Sequence, residues 1–160
     1  MSESTPVTHA LDALGTPYRF FRHAGQVHSL EQAAQERGQQ PQQVVRSIVF
    51  RLAQDVFVMV LIAGPVQISW PALRSYLGQS RLTLASEAEV LATTGFPLGA
   101  VSPFGLPSPM RILVDESVLA QEEVSLGSGV RNTTVILLTA DLLKALEPVE
   151  TGAFGLQAER

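Results

Sequence analysis

"VVRSIVFRLAQDVFVMVLIA" occupies residues 44–63. Two runs of strand formers, 44–53 and 56–63, flank Gln54-Asp55. Valine, isoleucine and phenylalanine favour a pleated, half-buried surface. A two-residue connection leaves no room for a crossover helix, so the runs pair antiparallel. The second run, "VFVMVLIA", is apolar at every position. Both of its faces therefore need cover, which places it centrally. The fold class that follows is mixed α/β, with helices packed on a mixed sheet rather than a doubly wound parallel one. In the first run, Arg46 shares a face with Val44, Ile48 and Phe50. Two readings fit that pattern equally. The arginine stem covers the core while its head reaches water, or the cation stands on the floor of a cleft facing an anion or polarised carbonyl.

Outward from this hairpin the elements are short and well punctuated. A helix over 5–14 stops at Gly15, and "PYRFFRH" (17–23) reads as a strand. Ser29 caps a helix over 30–37 that Gly38 ends, with Gln32 in the capping-box place. Ser69 caps another through Leu77, with Pro71 in its first turn and Gly78 after it. "RLTL" is a short strand, and Ser86 with Glu89 opens a helix ending near Gly95. The prolines and glycines of 95–109 forbid a helix or central strand there. Strands follow at 110–115, 123–128 and 133–138, and Thr139 is placed as the cap of a last helix to Leu146. Residues 1–147 are expected to form one domain. Residues 148–160 have no periodic pattern and read as a frayed C-terminal tail.

Composition narrows the function classes. The chain has 160 residues, 46% hydrophobic and 16% charged, enough to bury roughly 70% of its unfolded surface. It has no cysteine, so no disulfide, thiolate nucleophile or cysteine-ligated metal. The start, "MSESTPVTHALDALG", lacks the basic and apolar regions of a signal peptide, and no apolar run is long enough to span a bilayer. The expectation is a soluble cytoplasmic protein with no membrane partner. The net charge of −4 argues against a general nucleic-acid coat. Lys144 is the only lysine beside ten arginines.

His9, His23 and His28 show no metal-ligand spacing, so no metal is expected; taken alone, His23 and His28 read as polar loop residues. Ser47 and Ser102 lack a GxSxG elbow, and no phosphate-binding glycine motif occurs. The loop "TGFPLGAVSPFG" (94–105) is more informative. Its glycines allow close backbone approach and its prolines fix it in advance. It serves either as a rigid crossover or as a source of N–H groups for an oxyanion. "LGSGVRN" (126–132) is a second glycine-rich turn.

The ordered set "HSLEQAAQERG", "VVRSIVF", "TGFPLGAVSPFG", "ILVDESV", "SLGSGVRN" and "ILLTADLLKAL" resembles the YbaK/prolyl-tRNA-synthetase-associated domain family, across residues 17–147. The resemblance implies a mixed sheet curved around a pocket. It implies hydrolysis of the ester joining a wrong amino acid to the 3′ end of a tRNA, that is, trans-editing deacylation without metal or organic cofactor. The alternative is a noncatalytic member that binds an aminoacyl-tRNA end, an amino acid or a synthetase. The implied partners are the aminoacyl-tRNA 3′ end and, as a further candidate, an aminoacyl-tRNA synthetase. The implied catalytic positions are Arg46 and Gly99. The implied substrate-binding positions are Phe21, His23, Ser47, Ala100, Ser102, Gly127, Ser128 and Gly129. Three residues depart from the family pattern: Arg46 for lysine, Ala100 for glycine and Gly127 for serine. Ala100 is expected to narrow the pocket by a methyl group.

Overall fold

The computed structural model describes residues 4–156. The hairpin forms as its sequence dictates. Strand β2 (Val45–Ala53) pairs antiparallel with β3 (Val56–Ala63), and Asp55 turns the chain at φ 60°. Ahead of them come α1 (Pro6–Leu14), β1 (Arg19–Arg22) and α2 (Leu30–Arg37). After them come α3 (Trp70–Leu77), β4 (Thr83–Leu84), α4 (Glu87–Thr94), β5 (Arg111–Asp115), α5 (Glu116–Leu119), β6 (Glu123–Gly127), β7 (Thr133–Leu138), α6 (Thr139–Ala145) and β8 (Glu150–Gly152). The hydroxyls of Ser29, Ser69 and Ser86 each accept an N–H of the first turn behind them, so the capping serines set where α2, α3 and α4 begin. Thr139 differs from expectation. It is the first residue of α6, after Leu138, and its hydroxyl donates to the Gln121 carbonyl instead of capping.

The strands divide into two sheets rather than one. A five-stranded sheet runs β4-β2-β3-β5-β8, antiparallel on one side of β3 and parallel on the other. A three-stranded antiparallel sheet runs β1-β7-β6. A parallel bridge between Val44 and Ser125 joins them at a seam.

Strand β3 is covered on both faces. Met59 and Leu61 join Val45 and Val49 in a cluster with Val7 and Leu11 of α1 and Leu126 and Val135 of the smaller sheet. Val58 and Val60 face the other way, against Phe50, Leu73, Leu77, Leu113 and Phe154. Ile48 lies on this second side, so Arg46 does share the face of Ile48 and Phe50.

The C-terminal segment is the main departure. Residues 148–156 are not frayed. Strand β8 pairs parallel with β5, and Phe154 is fully buried, edge-on to Tyr76 with ring centroids 5.0 Å apart. The Phe154 N–H donates to a carboxylate oxygen of buried Asp115 at 2.6 Å. The remainder of the expected tail, 157–160, lies outside the described residues. Phe154→Ala should therefore lower the unfolding free energy by about 3–5 kcal/mol, the usual loss for a buried aromatic ring. Urea unfolding checks this; a frayed tail would leave the midpoint where it is.

Candidate functional site

Strand β4 pairs with β2 only at Phe50 and Arg51, which leaves the earlier part of β2 without a strand neighbour on that side. A cleft of about 350 Å³ opens there. Its walls include Arg46 and Ser47 from β2, Leu98, Gly99 and Val101 from the proline-glycine loop, Gly127, Thr133 and Thr134 from the smaller sheet, and Arg37 from the end of α2. A second, more apolar hollow of about 320 Å³ shares Arg46, Ser47, Leu98 and Val101 and continues to Leu84, Ala85 and Val90. A larger groove of about 470 Å³ lies by the β2–β3 turn, but its one cation, Arg111, is already clamped by both carboxylate oxygens of Glu150. The cleft beside β2, which gathers Arg46, Ser47, Gly99 and Gly127, is the candidate site.

Glycine holds the cleft's back wall together. A Cβ on Gly127 would stand 2.4 Å from the Val101 carbonyl oxygen and 2.8 Å from the Ala100 carbonyl. The Gly129 N–H donates to that Ala100 oxygen at 3.0 Å. The loop and the 127–129 turn thus meet backbone to backbone, with no side chain between them. Gly99 has φ +90° with open space where a Cβ would be. Its amide makes no hydrogen bond among the described residues. The Ser102 hydroxyl accepts from the Phe104 N–H at 3.1 Å and stiffens the loop from behind.

Arg46 is half-buried. It donates an Nη2–H to the Val66 carbonyl, and its buried Nε has no partner. Burial holds this guanidinium below the ordinary arginine value. The buried Ser47 hydroxyl is also unpartnered.

Of the sequence-derived residues, Arg46, Ser47, Gly99 and Gly127 therefore line one cleft. Ala100, Ser102 and Ser128 are fully buried behind its wall, and Gly129 packs under Phe96. Ala100 is absent from the residues that line the cleft. Phe21 and His23 do not line it either. His23 follows β1 in irregular chain as expected, but it is buried: its side chain is 1% exposed, edge-on to Phe21, with Nδ1 2.5 Å from Glu36 Oε1.

Sequence reading missed Arg37, Thr133 and Thr134. Arg37 looked like an ordinary basic residue in a helix's last turn, and the threonines like strand residues. The signal for Arg37 lies 88 residues away, in the Ser125 hydroxyl that accepts its Nη1–H. Among the described residues, no group of three or more His, Cys, Asp or Glu forms a metal site, and no helix is long and apolar enough to cross a membrane.

Residues 24–145 match the family model of the aminoacyl-tRNA editing domain. The chain is 28% identical over 138 residues to the multifunctional Ser/Thr-tRNA deacylase ProXp-y of Escherichia coli K12, covering 84% of this chain and 82% of that one. It is 29% identical over 110 residues to a proline–tRNA ligase of Thermosipho melanesiensis, covering 69% of this chain. It spans only 19% of that ligase's length. Among solved structures, a candidate trans-editing enzyme for prolyl tRNA synthetase superposes with TM-score 0.87 at 24% identity, covering 98% of this chain and all of that one. The hypothetical protein APE2540 does so with TM-score 0.86 at 22% identity, over 95% of this chain and all of that one. At these identities the structural likeness is one of fold.

Gly127→Ala should cost about 1–3 kcal/mol, because the methyl forces the loop off the turn. Gly25, where a Cβ would meet nothing within 4 Å, supplies the control. Paired thermal melts of Gly127→Ala and Gly25→Ala check the contrast; equal melting temperatures would contradict the close packing.

Proposed function

The chain belongs to the aminoacyl-tRNA editing domain family, and from that membership we propose that it hydrolyses the ester between a mismatched amino acid and the 3′ end of a tRNA, acting in trans. The observation that carries the reading is the convergence of Arg46, the unpartnered Ser47 hydroxyl and the Gly99 amide on one cleft. An aminoacyl ester is already activated, so the site needs no strong base. The Arg46 guanidinium and the Gly99 N–H stabilise the oxyanion that forms when a water, held by the neighbouring ribose hydroxyl, adds to the carbonyl. The Ser47 hydroxyl orients the ester or the attacking oxygen. Collapse of the oxyanion breaks the acyl–oxygen bond, and the ribose oxygen leaves with the proton that the attacking water gives up, freeing the amino acid as its carboxylate. The adjoining apolar hollow, from Leu84 to Val101, accommodates the amino-acid side chain or the terminal base. The protein works in the cytoplasm beside a synthetase whose errors it clears.

One observation favours a second reading, noncatalytic binding of the aminoacyl end. An Nη2–H of Arg46 is already engaged by the Val66 carbonyl, and arginine stands where the family has lysine. An arginine fork and an ammonium point charge are not interchangeable at such a site. A panel of mischarged tRNAs separates the two. Wild type should release at least one amino acid, and Arg46→Ala should lower kcat/KM about a hundredfold or more, the usual loss of an oxyanion partner. Arg46→Lys should stay within about tenfold of wild type. Binding without release by wild type, with release gained by Arg46→Lys, would establish the second reading.

A further inference from the structure

Arg37 enters the cleft from the C-terminal end of α2, at the seam where Val44 bridges Ser125. Its Nε–H donates to His23 Nε2 at 3.1 Å, and an Nη1–H donates to the fully buried Ser125 hydroxyl at 3.0 Å. Arginine can only donate. His23 Nε2 is therefore the acceptor, and Nδ1 carries the proton that goes to Glu36 at 2.5 Å. The same carboxylate is held by the Gln32 side-chain amide at 2.8 Å, and the His23 N–H is fixed on the Asn132 carbonyl at 2.9 Å. The guanidinium is thus locked in place by two neutral acceptors from two distant segments.

Neither guanidinium of the cleft has a carboxylate within ion-pair distance among the described residues. Arg19, Arg51 and Arg111 are each paired with a glutamate. Burial pulls the Arg37 value down to about 10, against the pull of neighbouring Glu36, and it remains a cation at neutral pH. A partly buried charge whose nearest carboxylate, Glu36, stands behind the His23 ring costs stability, and an uncharged donor such as glutamine serves a histidine and a serine as well. What arginine adds there is positive charge and, on a residue that lines the cleft, an Nη2 group engaged in no hydrogen bond among the described residues. A planar fork of this kind matches phosphate oxygens.

Resting on the editing reading above, we propose that Arg37 is a second anchor of the cleft, binding the phosphate between the last two nucleotides of the tRNA 3′ end, with His23 and Ser125 as the residues that position it. Phosphate capture by Arg37 sets where the terminal ribose lies, and Arg46 then acts on the ester beyond it. An acidic chain can in this way hold a nucleic-acid terminus without a basic surface: the attraction is confined to the one place where the ester must sit.

The test uses the dinucleotide cytidylyl-(3′→5′)-adenosine, which contains that phosphate and no ester to hydrolyse, against adenosine alone. Wild type should bind the dinucleotide at least about tenfold more tightly, and the Arg37 Nε–Hε resonance should move with the dinucleotide and not with adenosine. Arg37→Gln and Arg37→Met should erase the preference while leaving adenosine affinity unchanged. They should flatten the salt dependence of dinucleotide binding by about 0.7 in the logarithmic slope, the contribution of one single-strand phosphate. His23→Phe should weaken the preference severalfold with the slope retained, because the charge remains and only its placement is loosened. The proposal is overturned if wild type shows no preference for the dinucleotide, if the Arg37 resonance stays still, or if either neutral variant keeps the preference. The probe is independent of turnover. A failed deacylation panel with this binding intact removes the enzyme reading and leaves Arg37 as a phosphate anchor; active deacylation with flat dinucleotide binding removes the anchor alone.

Discussion

From Val58 to Ala63 strand β3 has no face turned to water, and the rest of the architecture answers that constraint. Burying Met59 and Leu61 requires α1 and the smaller sheet on one side. Burying Val58 and Val60 requires α3, β5 and Phe154 on the other. Two packed layers on one strand oblige its neighbour β2 to reach both, and β2 does so with a short partner, β4, that covers two residues. The uncovered start of β2 is where the cleft forms. The position of the site is thus a by-product of how the central strand is buried.

The cleft's rigidity has a separate origin. Gly127 and Gly129 let a turn of one sheet lie directly on the loop that follows α4. Backbone against backbone leaves little freedom, because neither side has rotamers to change. The Gly99 amide is held still by this contact and by the Ser102 turn behind it. A site that relies on fixed dipoles rather than on a strong base requires that kind of support.

The hairpin, five of the six described α-helices and seven of the eight described strands were legible in the sequence because most carry a local cause: alternation, a capping residue, a terminating glycine. What was hidden depends on distance. Strand β8 is three residues long, too short to display a period, and only its pairing with β5 and the insertion of Phe154 define it. The four-residue α5 is equally brief. The division into two sheets turns on a single bridge at Val44. In the site, Arg46 and the glycines were visible as anomalies within their own segments. Arg37 was not, because a basic residue closing a helix is ordinary and its meaning comes from His23 and Ser125. The likeness of ordered motifs to an editing family was carried by the chain from 17 to 147 and agrees with the match over 24–145.

The packing of Phe154 also bears on how this protein is made. The face formed by Phe50, Val58, Val60, Leu73 and Leu113 is sealed by a ring that lies near the end of the described chain. During synthesis every other part of that cluster leaves the ribosome first, and the greasy face stays open until residue 154 emerges. Completion of that cluster therefore waits until residue 154 has emerged, and a ribosome stalled short of that residue displays a sticky surface to the cell's chaperones.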